Sequence, residues 1–120
     1  MNARRNIIAT PAARNYVKLN TDYNGKIKHP VLTMHTVLDP LVVVANESAY
    51  AELIAATGED ALFQTYTNGN GHCAFTGAQL LTAVAAIDGW VRTGVRPTNA
   101  SFPAALGFEP TFVPPPMLQP

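Results

Sequence analysis

Two short runs in this chain are apolar on both parities, and they restrict the possible folds more than any other feature. Val31-Leu32-Thr33-Met34-His35 follows Pro30, and Ala61-Leu62-Phe63-Gln64-Thr65-Tyr66-Thr67 lies about thirty residues further on. A strand with one wet face alternates apolar and polar residues. A strand covered on both faces does not, and that is the pattern of parallel sheets. Between the two runs Asn46 reads as an N-cap and Glu47 suits a first turn. Ala49, Tyr50, Leu53, Ile54 and Thr57 then follow helical spacing until Gly58 stops them. After the second run Asn68-Gly69-Asn70-Gly71 reads as a loop. Thr76 to Gln79 has the form of a capping box, and Leu80, Leu81, Val84, Ile87, Trp90 and Val91 behind it make a wide apolar stripe, read as core and closed by Gly94. Strand, helix, strand, helix predicts an α/β fold: a βαβα unit with a small parallel sheet and a right-handed crossover.

The ends are less regular. Residues 1–29 form a lead-in in which Ile7, Ile8, Ala12, Ala13, Tyr16 and Val17 fit a short helix or an irregular segment, with Pro11 in the first turn and Asp22-Tyr23-Asn24-Gly25 as a turn. Residues 30–96 hold the α/β unit. Residues 97–120 are rich in proline and phenylalanine, and Phe102, Phe108 and Phe112 predict an irregular segment laid over apolar surface. At 120 residues this is one domain. Two parallel strands alone leave an unpaired edge on each, so either the lead-in adds a strand or a second copy does; a homodimer with a joined sheet is the expectation.

Composition removes several classes. Eight basic and eight acidic side chains balance, which argues against nucleic acid as a partner. One cysteine excludes an internal disulfide. No run approaches the roughly 20 apolar residues of a membrane span. The start, Met1 to Asn6, has no apolar stretch behind it, so the expectation is a cytoplasmic protein.

The polar residues with chemical potential lie after the two strand runs. His35 and Asp39 belong to His-Thr-Val-Leu-Asp, and Gly71-His72-Cys73 sits in the glycine-rich loop. Ligand sites of open α/β sheets form outside the carboxyl ends of the strands, so Asp39 and His72 are expected to meet there. A carboxylate beside an imidazole fixes its tautomer and favours its protonated form, as a general base requires.

With those residues in view, Pro30 to about Pro97 resembles the C-terminal part of the α/β-hydrolase fold. His29-Pro30-Val31-Leu32-Thr33-Met34-His35-Thr36-Val37-Leu38-Asp39-Pro40 looks like the segment that carries the triad acid, at Asp39. Leu62 to Tyr66 followed by Gly71 to Thr76 looks like the last strand and the loop of the triad histidine, at His72. Ala86 to Gly94 resembles the closing helix of esterase-like members, and Ala12 to Gly25 is compatible with the stretch before the acid strand. The order acid then histidine agrees with the family. The Gly-x-Ser-x-Gly elbow has no counterpart: the two serines, Ser48 and Ser101, sit at a helix start and in the tail. The resemblance therefore implies a truncated hydrolase without its own serine mechanism.

Two imidazoles and a carboxylate, His35, Asp39 and His72, suit a divalent ion, zinc or manganese foremost and iron less so. Such an ion lowers the pKa of bound water from 15.7 to about 7 and substitutes for the missing serine and oxyanion hole. The expected function is hydrolysis of a small-molecule phosphoester or carboxylic ester, with His72 or a second carboxylate as base. The alternatives are a non-catalytic fragment, half of a split esterase completed by a serine-bearing chain, or a binding module using the apolar tail. Each residue also has a plain reading. His35 bonds loop backbone at a strand end, Asp39 caps the turn before Pro40, and Glu47 is a first-turn acid, though the best spare carboxylate. Cys73 reads as a small buried hydrophobe pointing away from its neighbour His72. Trp90 is core, and Lys26 and Lys28 are solvated.

Overall fold

Residues 8–117 are described by a computed structural model, so Ile7 of the lead-in, the start at Met1 to Asn6 and the last three residues lie outside the description. Helix α1 spans Pro11–Asn20, strand β1 Val31–Leu38, helix α2 Ala45–Ala55, strand β2 Leu62–Asn70 and helix α3 Gly77–Thr93; two 3₁₀ turns follow at Asn99–Ser101 and Ala104–Leu106. The class is mixed α/β, and β1 and β2 pair in parallel from Val31↔Leu62 to Thr36↔Thr67.

Both strands run longer than the apolar runs that mark them. Thr36 to Leu38 continue β1, and Asn68 to Asn70, read as loop, continue β2. The reason is pairing: the register slips between Thr36 and Leu38, and Leu38 then meets Asn70. The outer edge of β2 is also engaged. Phe108 forms an antiparallel bridge with Thr67, Asn68 N–H donates to Gly107 O at 2.9 Å, and Glu109 N–H donates to Tyr66 O at 2.9 Å. Near the other end the Arg96 guanidinium donates to Leu62 O, pairs with Asp60 at 3.2 Å and lies over the Phe63 ring.

The core sits between the sheet, α3 and the C-terminal segment. Phe63, Trp90, Phe102 and Phe108 are buried together, with Leu32, Met34, Ala86 and Ile87 against them. Phe63 stacks on Phe102, which meets Phe108 edge-on, both with centroids 5.2 Å apart. Phe112 meets Tyr66 edge-on. The tail is thus packed, as its aromatic content predicts, and supplies two of the most buried side chains.

The capping box at Thr76 and Gln79 is present in both directions, and Gly94 closes α3 in the left-handed conformation. The stripe behind it divides. Trp90 and Ala83 are buried and Ile87 packs on the core, whereas Leu81, Val84 and Val91 are exposed by 73%, 61% and 63% and Leu80 by 48%. The reading of that whole stripe as core is corrected: the described chain covers only part of it. Helix α1, capped by Thr10 and led by Pro11, buries no residue. Helix α2 begins one residue before Asn46, with Val44 at the cap and no side-chain cap bond, so Asn46 is helical and not the cap.

Candidate active site

Strand β1 runs into a turn that Asp39 organises. Its Oδ1 accepts from the N–H groups of Leu41 (2.8 Å) and Val42 (2.9 Å), which gives Pro40 and the start of α2 a fixed exit. Its Oδ2 lies 2.9 Å from His72 Nδ1. The Asp39 side chain is 4% exposed, and that of His72 45%. Burial alone pushes the carboxyl up, but the Val42 N–H, the His72 ring and the Leu41 N–H together outweigh it and hold the pKa at about 2. The carboxylate is therefore ionised and can only accept. Nδ1 must donate to it, and in the neutral ring Nε2 is left as the free acceptor.

The His72 loop is fastened to the sheet by contacts with few alternatives. Buried Thr36 donates through Oγ1 to Gly71 O at 2.8 Å. At Gly69 the backbone passes so close to Ala74 that a Cβ would stand 2.4 Å from its carbonyl oxygen. Thus the small residue that reads as turn punctuation is needed for contact, and the loop folds back over the end of β2.

The expected meeting of Asp39 and His72 is found at the carboxyl ends of the two strands. His35 lines the same small cavity, of about 170 Å³, with Met34, Thr36, Val42, Cys73 and Phe75. His35 Nδ1 lies 2.9 Å from Thr36 O, so it donates there, which is the plain reading of that residue. The expected three-ligand set is not assembled: among the described residues no three His, Cys, Asp or Glu side chains are placed to hold one metal ion. Asp39 shows why, since one of its oxygens is taken by two backbone N–H groups and the other by His72.

Cys73 departs from both expectations. It is exposed, and its backbone adopts φ +52°, rare for a residue with a side chain. That left-handed turn prevents the two neighbouring side chains from pointing apart: Cys73 Sγ comes to 3.6 Å from His72 Nε2. No residue type in Gly71-His72-Cys73 marks Cys73 as left-handed, so nothing in the sequence signals the line of acid, imidazole and thiol.

Glu47 is occupied elsewhere. Its Oε2 accepts from Thr33 Oγ1 and Gln64 Nε2, both at 2.6 Å, tying α2 to one face of the sheet. Burial, and then the Glu47 charge, push the nearby Tyr66 phenol up to about 12. Neither serine reaches the site: Ser48 Oγ donates to the carbonyls of Pro114 and Pro115, and Ser101 belongs to a 3₁₀ turn. Among the described residues no helix is long and apolar enough to cross a membrane.

No family model, curated protein or solved structure matches this chain.

Proposed function

We propose that this chain is a hydrolase of small-molecule ester bonds, carboxylic esters or phosphoesters, built on the acid and histidine of a truncated α/β-hydrolase. The observation that carries the reading is the 2.9 Å contact between a buried, ionised Asp39 and Nδ1 of His72. It leaves Nε2 as a base of fixed tautomer at the mouth of a cavity. His72 takes a proton from water as the water attacks the ester, and returns it to the departing alcohol; Asp39 stabilises the imidazolium between the two steps. Such a base contributes typically 10²- to 10⁴-fold.

The thiol at 3.6 Å favours a second reading for carboxylic esters. Nε2 would take the Cys73 proton, the thiolate would attack the carbonyl carbon, and the alcohol would leave with that proton. Water would then hydrolyse the thioester and restore the thiol.

The test is hydrolysis of an aryl ester and an aryl phosphodiester by wild type, His72→Ala and Cys73→Ala, each with and without a chelator and with added zinc or manganese. Water attack predicts a loss of 10²- to 10⁴-fold in His72→Ala, little change in Cys73→Ala and no chelator effect. Loss in Cys73→Ala establishes the thiol route. Abolition by chelator and recovery with zinc or manganese restores the divalent-ion mechanism at His35, Asp39 and His72. Equal rates in wild type and His72→Ala contradict all three.

A further inference from the structure

The two strand edges differ. The outer edge of β2 is covered by Arg96 at one end and by the Gly107 to Glu109 segment at the other. The outer edge of β1 has no partner among the described residues. Solitary edges are normally guarded by charge or proline, yet Val31-Leu32-Thr33-Met34-His35-Thr36-Val37-Leu38 contains neither Lys, Arg, Asp, Glu nor Pro.

The uncovered part of α3 lies on the same side. Gln79 donates to Leu106 O, and Ala86, Trp90 and Thr93 line a hollow with Pro97 and Ser101, so that flank faces the C-terminal segment beside β2. At 3.6 residues per turn, Leu80, Val84 and Val91 fall on the opposite flank, toward β1 and its open edge. Helix α3 itself lies against β1.

The chain as a whole exposes more surface than a closed monomer of its mass. The chain exposes 8853 Å², against roughly 6,300 Å² expected for a folded monomer of its mass. Helix α1, which buries nothing, accounts for part of the difference. A standard interface needs about 800 Å² from each partner. The surface also selects what covers it. The strand edge carries no charge to attract a basic or acidic partner, and the charges beside the stripe, Asp88 and Arg92, neutralise each other at 2.6 Å. The chain has no net charge to repel its own kind, and an uncharged edge beneath an apolar stripe is complementary to itself.

We propose that a second copy of this chain docks here, β1 beside β1 and antiparallel about a twofold axis, making a four-stranded sheet with Leu80, Val84 and Val91 meeting their counterparts above it. Light scattering of the wild-type chain is expected to give twice 12.8 kDa. Leu80→Glu combined with Val84→Glu, both at exposed positions, is expected to give the single mass with an unchanged circular dichroism spectrum. Alternate β1 amides should exchange slowly in the wild type and rapidly in the double variant. A wild type of single mass from micromolar to millimolar concentration overturns the proposal, as does a double variant that remains dimeric. A wild type that is monomeric alone but joins a separately expressed Gly-x-Ser-x-Gly chain overturns it in favour of the split esterase.

Discussion

Asp39 shows how one side chain sets both a turn and a base. Its low pKa has a stability consequence whose sign is fixed. The folded value, about 2, lies below the ordinary 3.8, so the contribution is fully present above pH 3.8 and is lost as pH falls through about 2. Denaturant titrations should therefore find the stability gap between wild type and Asp39→Asn narrowing across that window. A constant gap would mean that the carboxylate is not held as described. The residues of the pair were legible because strand ends are where such residues act. Cys73 was not, because its direction depends on a single positive φ that residue type does not encode. Nor was the task of Glu47: its helical position was plain, but its partners Thr33 and Gln64 come from two different strands.

At the scale of the element, the His72 loop depends on the closeness of Gly69 to Ala74. Gly69→Ala must move one backbone segment away from the other, and His72 is three residues beyond it. A displacement near 1 Å costs a catalytic arrangement on the order of 10²-fold, so ester hydrolysis should fall by about that factor while circular dichroism stays the same. Undiminished turnover in the folded variant would show that loop placement does not limit the reaction. Helix α3 marks the limit of pattern reading. Its capping box and closing glycine are local, and both are found as written. Its apolar stripe records what the helix is suited to bury, whereas the extent actually buried depends on what surrounds it. Trp90 finds Phe63 and Phe102, while Val84 and Val91 stay largely exposed and outside that core.

Over the whole molecule the sheet is the thin part. Two strands carry the site at their carboxyl ends, and covering falls to α2 with Phe112 to Pro115 of the tail on one face, α3 with Phe102 and Phe108 on the other. A radius of gyration of 17.2 Å exceeds the ~14 Å of a compact chain of this length, in keeping with a helix α1 that buries no residue. The α/β class was readable because both strand runs lack alternation; the closure of β2 by Phe108 was not, since the tail has no periodicity from which to place it. The function proposed depends on the proton at His72 being where Asp39 requires it. Nitrogen-15 NMR of the His72 ring reads this directly. The neutral ring should carry its proton on Nδ1 with Nε2 bare, and Asp39→Asn should disturb that preference. A proton found on Nε2 in the wild type would contradict the base assigned to His72.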